Sequence, residues 1–319
     1  MIMESLRQII PFIRQHASRS VPTGLHALRD ELLGRYGNAV LAILFHGSCF
    51  RKGDISDGLV DLYLLVNSYR AAYHKHLHRT LNRLLPPNVF YLEVMVDGIM
   101  VRAKYTVISL ADFQRGTSIN WFHSYLWGRF AQPAGILYSR HESIADVVYT
   151  ALAQAVITFM TRTLPHIPEQ FDARILWCQG VLLSYRAELR AERPEKLVHL
   201  FEWAPQYYEQ LTRIVMGALP YSVGLVTRDV SCYYHAQIPI RIRLVNRLAW
   251  HVRFIQGKLL SLLRLLKSLL TFKGGIDYVL WKIERHSGIT IALTPPLRRI
   301  PFLGICFIFW RLYRGGAFR

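Results

Sequence analysis

The spacing of apolar residues changes several times along the chain, and each change marks an element. In 5–17, SLRQIIPFIRQHA, and 24–37, GLHALRDELLGRYG, apolar positions recur every three or four residues, which predicts two helices with Gly37 as a break after the second. The run 39–47, AVLAILFHG, is almost continuously apolar and of strand length, as is 59–66, LVDLYLLV. A His- and Arg-rich helix, AAYHKHLHRTLNRLL, is predicted over 71–85 and stopped by Pro86 and Pro87. Two further strands, 89–96 and 99–109, flank the turn signal Asp97-Gly98. Strand, strand, helix, strand, strand is an α+β order. From about 111 to 214 the pattern is helical, most clearly in 143–164 and 173–192.

The last quarter differs. In 257–272, GKLLSLLRLLKSLLTF, Ser261, Arg264 and Ser268 line one helical stripe while leucines fill the remainder, a pattern shared by core helices and membrane-surface helices. The apolar run 300–310, IPFLGICFIFW, is bracketed by Arg298, Arg299, Arg311 and Arg314. As a helix it spans roughly 16 Å, about half a bilayer core, so it suits a membrane surface and is too short to cross.

Composition sharpens the division. At 319 residues and 52% apolar content the chain can bury a sizeable core and is not mainly disordered. The net charge is +18, and residues 241–319 hold fifteen Lys and Arg against only Asp277 and Glu284. Such a block attracts nucleic acid or anionic lipid. Cys49, Cys178, Cys232 and Cys306 are scattered and form no CxxC pair, so neither a zinc ribbon nor a disulfide framework is suggested, and a reducing compartment fits best. The N-terminal residues lack the apolar core of a secretory signal; a mitochondrial presequence stays open, weakened by Glu4 and Pro11. The expected organisation is a sheet-bearing catalytic domain over 1–110, a helical domain completing the active site over 111–240, and a basic amphipathic membrane-associating region over 241–319.

Candidate chemistry centres on LFHGSCFRKGDISDGLVDLYLLV, residues 44–66. A strand ending in Gly47-Ser48 offers backbone N–H groups and a hydroxyl to phosphate oxygens. Asp61, opening the neighbouring strand, faces the same spot and is a ligand for a divalent cation. The general nucleotidyltransferase pattern places a second carboxylate two residues on, where this chain has Tyr63. An ordinary polar loop, with Asp54 and Asp57 as turn residues, is the alternative. His74, His76 and His78 have no carboxylate partner in their motif and read as a solvated helix face rather than a metal site.

Further motifs follow in order: YHKHL, KYTVIS, NWFHSYLWGRFAQP and LSYRAELR. With the Gly-Ser pair and the Asp-headed strand, this succession resembles the phosphatidate cytidylyltransferases of the mitochondrial translocator-assembly-and-maintenance type, from about residue 39 to 207. The resemblance implies a nucleotidyltransferase-like mixed sheet with helices. It also accommodates Tyr63, because that family has an apolar residue at the second position. It implies roles for Lys104 and Arg129 on substrate phosphates, and for His74, Tyr185 and Arg190 in holding the nucleotide. Asp61 is the expected metal ligand, with Glu93 and Glu188 as further carboxylates. Trp121 and Tyr125 belong to an expected aromatic helix leading into Gly128-Arg129, and read as core residues. Cys49 stands where the family usually has a second glycine, which marks a divergent member.

The activity implied is transfer of CMP from CTP to phosphatidic acid with Mg²⁺, giving CDP-diacylglycerol and pyrophosphate. The expected place is an anionic membrane surface, on the cytoplasmic face of a bacterial inner membrane or the matrix side of the mitochondrial one. No nucleic acid partner is expected. Two rival readings are a nucleotidyltransferase acting on RNA or another soluble acceptor, and a non-catalytic lipid-binding relative. Every proposed catalytic residue precedes Arg193, so the C-terminal region is expected to serve docking and not chemistry.

Overall fold

A computed structural model describes residues 2–17, 22–53, 59–188, 194–228 and 231–271. The turn residues Asp54 and Asp57, the site residue Arg190 and the apolar run 300–310 lie outside the described residues. Helices α1 (Ile2–Ala17) and α2 (Thr23–Tyr36) lead into strand β1 (Val40–His46), a five-residue helix α3 (Ser48–Lys52) and strand β2 (Leu59–Val66). Short helices α4 (Tyr69–Ala72) and α5 (His76–Leu84) precede the hairpin of β3 (Asn88–Val96) and β4 (Ile99–Ser109), whose Asp97 and Gly98 both have positive φ, as the tight hairpin turn requires. Then follow α6 (Leu110–Thr117), α7 (Trp127–Phe130), β5 (Ala134–Ser139) and the long helix α8 (Glu142–Thr163).

The five strands form one mixed sheet in the order β3-β4-β2-β1-β5. Only β2 and β4 run parallel within it. Both faces are covered, which is why β1 and β2 read as nearly unbroken apolar runs. On one face Val40, Ile43, Val60, Leu62, Leu64 and Tyr105 pack against Leu25, Leu28 and Leu32 of α2. On the other, Ala42, Leu44, Tyr63 and Leu65 meet the helical body, including Phe130, Val148 and Leu152. Strand alternation therefore assigns Asp61, one residue before Leu62 and two before Tyr63, to the helical side.

That body continues with β6 (Gln170–Phe171), α9 (Ala173–Arg186), α10 (Pro194–Glu202), α11 (Pro205–Met216), β7 (Ser222–Arg228), β8 (Ser231–Gln237) and α12 (Ile240–Thr271). Strands β6, β8 and β7 make a second, three-stranded antiparallel sheet. Helix α8 is its centre. Its composition suits a membrane span, yet 72% of that apolar window is buried within the protein, as in a core helix.

Three expectations are corrected here. The sheet takes β5 from residues expected to be helical, so the sheet layer draws on both sides of residue 110. The helix expected over 71–85 breaks at Tyr73, whose backbone is extended and whose ring is buried against Tyr36 and Phe90. Arg79 holds the break by donating to the carbonyls of Tyr73 and His74. Residues before Gly128 are irregular rather than an aromatic helix, with only the short α7 following.

Helix α12 has an unusual polarity. Its inward face carries Arg243, Asn246, Trp250, Arg253 and Lys267, all buried. Arg243 donates to the Ile167 carbonyl, Asn246 and Trp250 to that of Arg162, and Arg253 to that of Phe122. Gly257 permits the crossing of α9's end, since a Cβ there would fall 2.0 Å from the Ala187 carbonyl oxygen. The outward face is a row of exposed apolar residues, Ile240, Leu244, Leu248, Val252, Ile255, Leu259, Leu262 and Leu266, spaced three or four apart.

Candidate active site

The site forms where the C-terminal end of β1 meets the N-terminal part of β2. His46 pairs with Asp61 in the ladder, so Gly47 sits beside the Asp61 carboxylate. Gly47 has φ +83 and ψ −150, a backbone conformation essentially reserved for glycine. A Cβ there would meet Asp61 Oδ2 at 3.3 Å. The strand end and the carboxylate are thus packed against each other through a missing side chain. Ser48 opens α3 rather than closing a simple turn.

Lys104 pairs with Asp61 in the parallel ladder, and its Nζ lies 2.6 Å from Asp61 Oδ1. Burial alone pushes a carboxyl upward, but Lys104, His46 and Arg129 outweigh it and hold Asp61 well below the usual carboxylate range. Asp61 in turn raises Lys104 above its ordinary value, against the cost of burial. Both groups carry full charge at neutral pH.

A second layer stands over this pair. Arg129, from α7, is nearly buried and forms an ion pair with Glu188 at 3.0 Å. It also donates to the Tyr63 hydroxyl at 2.6 Å, and Tyr63 donates on to Tyr125 at 3.2 Å. The Arg129 guanidinium carbon lies 4.2 Å from the Tyr125 ring centre. Burial raises the Tyr63 phenol well above its usual value and keeps it a neutral donor. Burial lowers the tendency of Arg129 to stay charged, but Glu188, Tyr63 and Tyr125 reverse this, and its pKa is raised. Arg129 also acts electrostatically on both Asp61 and Lys104.

The structure therefore brings together Gly47, Asp61, Lys104, Arg129 and Glu188. Tyr185 lies beside the same turn, its hydroxyl accepting from Gln132 at 3.3 Å, while Gln132 also donates to the Gly128 carbonyl. His74 is not brought there. It is exposed and follows Tyr73, which packs on the α2 side of the sheet, away from Asp61. Glu93 shares the Asp61 face, but lies two strands and two residues away, about 12 Å between Cα atoms. It accepts instead from Arg102 and Tyr91. Glu188 is committed to Arg129. Among the described residues no three metal-ligating side chains converge, so the expected three-carboxylate set is not assembled. Asp61 is the carboxylate that faces the strand end.

Three participants were not singled out by sequence reasoning. Tyr63, which interrupts the usual carboxylate pattern, is the hydrogen-bond partner of Arg129. Tyr125, read as core, is half-buried inside the site. Arg264 of α12 places its guanidinium carbon 4.2 Å from the same Tyr125 ring. Helix α12, expected only to dock, thus reaches the candidate site.

A crystal structure of a nucleotidyltransferase-like protein from Exiguobacterium sibiricum 255-15 is similar over 67% of this chain and 98% of that one, at 9% identity and a TM-score of 0.26, too low to carry an argument. No curated protein matches the sequence. Residues 67–228, just over half of the chain, match the family described as "Phosphatidate cytidylyltransferase, mitochondrial". The match includes Lys104, Arg129, Tyr185 and Glu188, and begins just after β2, so Gly47 and Asp61 join the site by geometry alone. With these residues gathered around Asp61 on a mixed sheet, the chain belongs to this family of nucleotidyl-transferring enzymes.

Proposed function

We propose that the protein transfers CMP from CTP to phosphatidic acid at an anionic membrane surface, releasing pyrophosphate. The observation that carries this reading is the packing of the Gly47 strand end on Asp61, with Lys104 and Arg129 facing the same point. Two cations beside one carboxylate at a strand end suit a triphosphate and the charge that develops on its leaving group.

Mg²⁺ would be held here by Asp61 alone among the described carboxylates, through the oxygen that faces Gly47 and not the one paired with Lys104. That ion is commonly held by one or two carboxylates together with substrate phosphates, and Asp61 supplies one carboxylate against an open glycine strand end. When bound, the ion neutralises triphosphate charge. The chain's own residues do the rest. Gly47 keeps the approach to Asp61 free of side chain. Lys104 and Arg129 orient phosphate oxygens and stabilise negative charge. An oxygen of the acceptor phosphate forms a bond to the α-phosphorus of CTP as the bond to the β-phosphate oxygen breaks, and pyrophosphate departs with that electron pair. The acceptor phosphate is already ionised at neutral pH, so no strong general base is required.

The apolar outer face of α12 supports a lipid surface over RNA as the partner. Several of the helix's cations face inward, and the exposed Arg241, Arg247 and Lys258 accompany the apolar row, a combination that suits an anionic lipid surface better than nucleic acid. The test offers each nucleoside triphosphate in turn, with Mg²⁺, to full-length protein and phosphatidate in mixed micelles, and identifies products by mass. CDP-diacylglycerol formed from CTP is the expected result. Nucleotide incorporated only into added RNA overturns the acceptor assignment.

A further inference from the structure

Helix α12 brings four cations to its inner side, and three of them make contacts away from the candidate site. Arg243 and Arg253 bond backbone carbonyls, and Arg253 lies over the rings of Phe122, Trp250 and Trp127. Lys267 donates to the carbonyls of Leu85 and Pro87. Arg264 differs in where it lies. Its Nε donates to the Pro86 carbonyl at 3.1 Å and its Nη1 is buried without a hydrogen-bond partner, as are nitrogens of Arg243 and Arg253, but Arg264 alone of the four lies over Tyr125 beside Arg129. Among the described residues it pairs with no carboxylate.

Its surroundings are those of the active site. Arg129 and Arg264 each lie 4.2 Å from the centre of the Tyr125 ring, so their guanidinium carbons are within about 8 Å of each other. A guanidinium bonded to a phosphate through N···O contacts of about 2.8 Å sits roughly 4 Å from the phosphorus. With the ring shared between the two guanidiniums, a phosphate that contacts both would lie at the ring edge. The local charge is also unbalanced. Lys104, Arg129 and Arg264 face Asp61 and Glu188, and both carboxylates are already ion-paired. The positive field is felt by its neighbours. Burial, together with Arg264, Arg129 and Arg253, pushes the His123 imidazole down to about 3, so it contributes no further charge. Burial raises the Tyr125 phenol, yet Arg129 and Arg264 outweigh it and bring its pKa below the usual value.

We propose that Arg264 of the C-terminal helix is a phosphate-binding residue of the active site, acting with Arg129 across Tyr125, so that α12 completes the substrate site. This rests on the function proposed above. The ligand chemistry is a phosphate oxyanion, either the triphosphate tail of the nucleotide or the phosphomonoester of the lipid acceptor.

The experiment uses full-length protein with Arg264→Met and Arg264→Lys, and Gln256→Ala, an exposed polar position of the same helix outside the apolar row, as control. CTP binding with Mg²⁺ is measured by calorimetry, and KM is measured for CTP and for phosphatidate in micelles. Melting temperature checks folding, and Arg264→Lys preserves the charge if Arg264→Met unfolds. Loss of a charge-assisted bond predicts a tenfold or larger weakening in Arg264→Met and a smaller one in Arg264→Lys. A raised CTP Kd with unchanged phosphatidate KM assigns the triphosphate. Unchanged CTP binding with a raised phosphatidate KM assigns the lipid phosphate. If wild-type protein is active while the folded Arg264 variants match it in both substrates, the proposal is overturned and the site reading stands. If wild-type protein neither binds CTP nor forms product, both fall.

Discussion

Replacing Gly47 by alanine tests the geometry of the site at its tightest point. The residue's φ of +83 and ψ of −150 lie where an L side chain costs about 1–3 kcal/mol. The added Cβ also presses on Asp61 Oδ2 at 3.3 Å, while that carboxylate is held 2.6 Å from Lys104 on its other oxygen. Relief requires either a turn of the backbone at the end of β1 or a shift of Asp61 away from it. Both move the carboxylate relative to the phosphate loop. A displacement approaching 1 Å at a reacting centre costs about a hundredfold in rate. Gly47→Ala should therefore lose about 1–3 kcal/mol in urea unfolding and about two orders of magnitude in turnover. Raising the Mg²⁺ concentration should recover part of the activity if the lesion lies at the metal ligand. Gly34→Ala is the control, because a Cβ there meets nothing within 4 Å and the site is in the middle of a helix turn. It should stabilise by about 0.5–1 kcal/mol and leave turnover intact. Wild-type turnover in Gly47→Ala would refute the packing of the strand end on Asp61.

Other perturbations separate the layers of the account. Glu188→Gln leaves the nearly buried Arg129 without its counter-charge and should cost about 3 kcal/mol in chemical unfolding; a loss below about 1 kcal/mol contradicts the pairing. Burial pushes Lys267 down to about 7, whereas in the unfolded chain it holds its proton to its ordinary value. Between pH 7 and 9 the unfolded state therefore binds more protons at this residue, and its contribution makes stability rise with pH. Lys267→Met should flatten that slope, read from urea midpoints across the range, and an unchanged slope refutes the assignment. Changing Leu248, Leu259 and Leu266 together to serine removes apolar area from the outer face of α12. At about 1.5–3 kcal/mol per leucine transferred, flotation with anionic liposomes should fall at least tenfold while CTP binding persists; equal flotation removes this face from membrane docking.

Much of the sheet was legible because its strands follow simple patterns. The runs around Leu44 and Leu62 are apolar on both faces, and the glycine and aspartate that interrupt them mark where the strands open toward a ligand. Register then brings Gly47 to Asp61, a contact sequence order implies but does not measure. Strand β5 was not legible, since six residues between helical stretches carry too little periodicity, and its place is fixed by pairing with β1. The break at Tyr73 arises from tertiary burial of one ring, which overrides the helical pattern around it. Helix α12 was legible in part. Its amphipathic stripe was visible and read as a membrane-surface helix with the leucines outward, but which carbonyls and rings the inner arginines and lysine meet depends on tertiary packing that the sequence does not carry. The approach of Arg264 to Tyr125 is one such contact.

The central claim is that Asp61, set against Gly47 and Lys104, supports cytidylyl transfer to a lipid phosphate. It is tested most directly with CTP labelled at the α-phosphate, phosphatidate micelles and full-length protein, wild type beside Asp61→Ala. The account predicts Mg²⁺-dependent movement of label into the lipid fraction for the wild type, and a loss of at least a thousandfold in a folded Asp61→Ala variant, as for removal of a principal catalytic group. Label reaching lipid at the same rate in both proteins would contradict it.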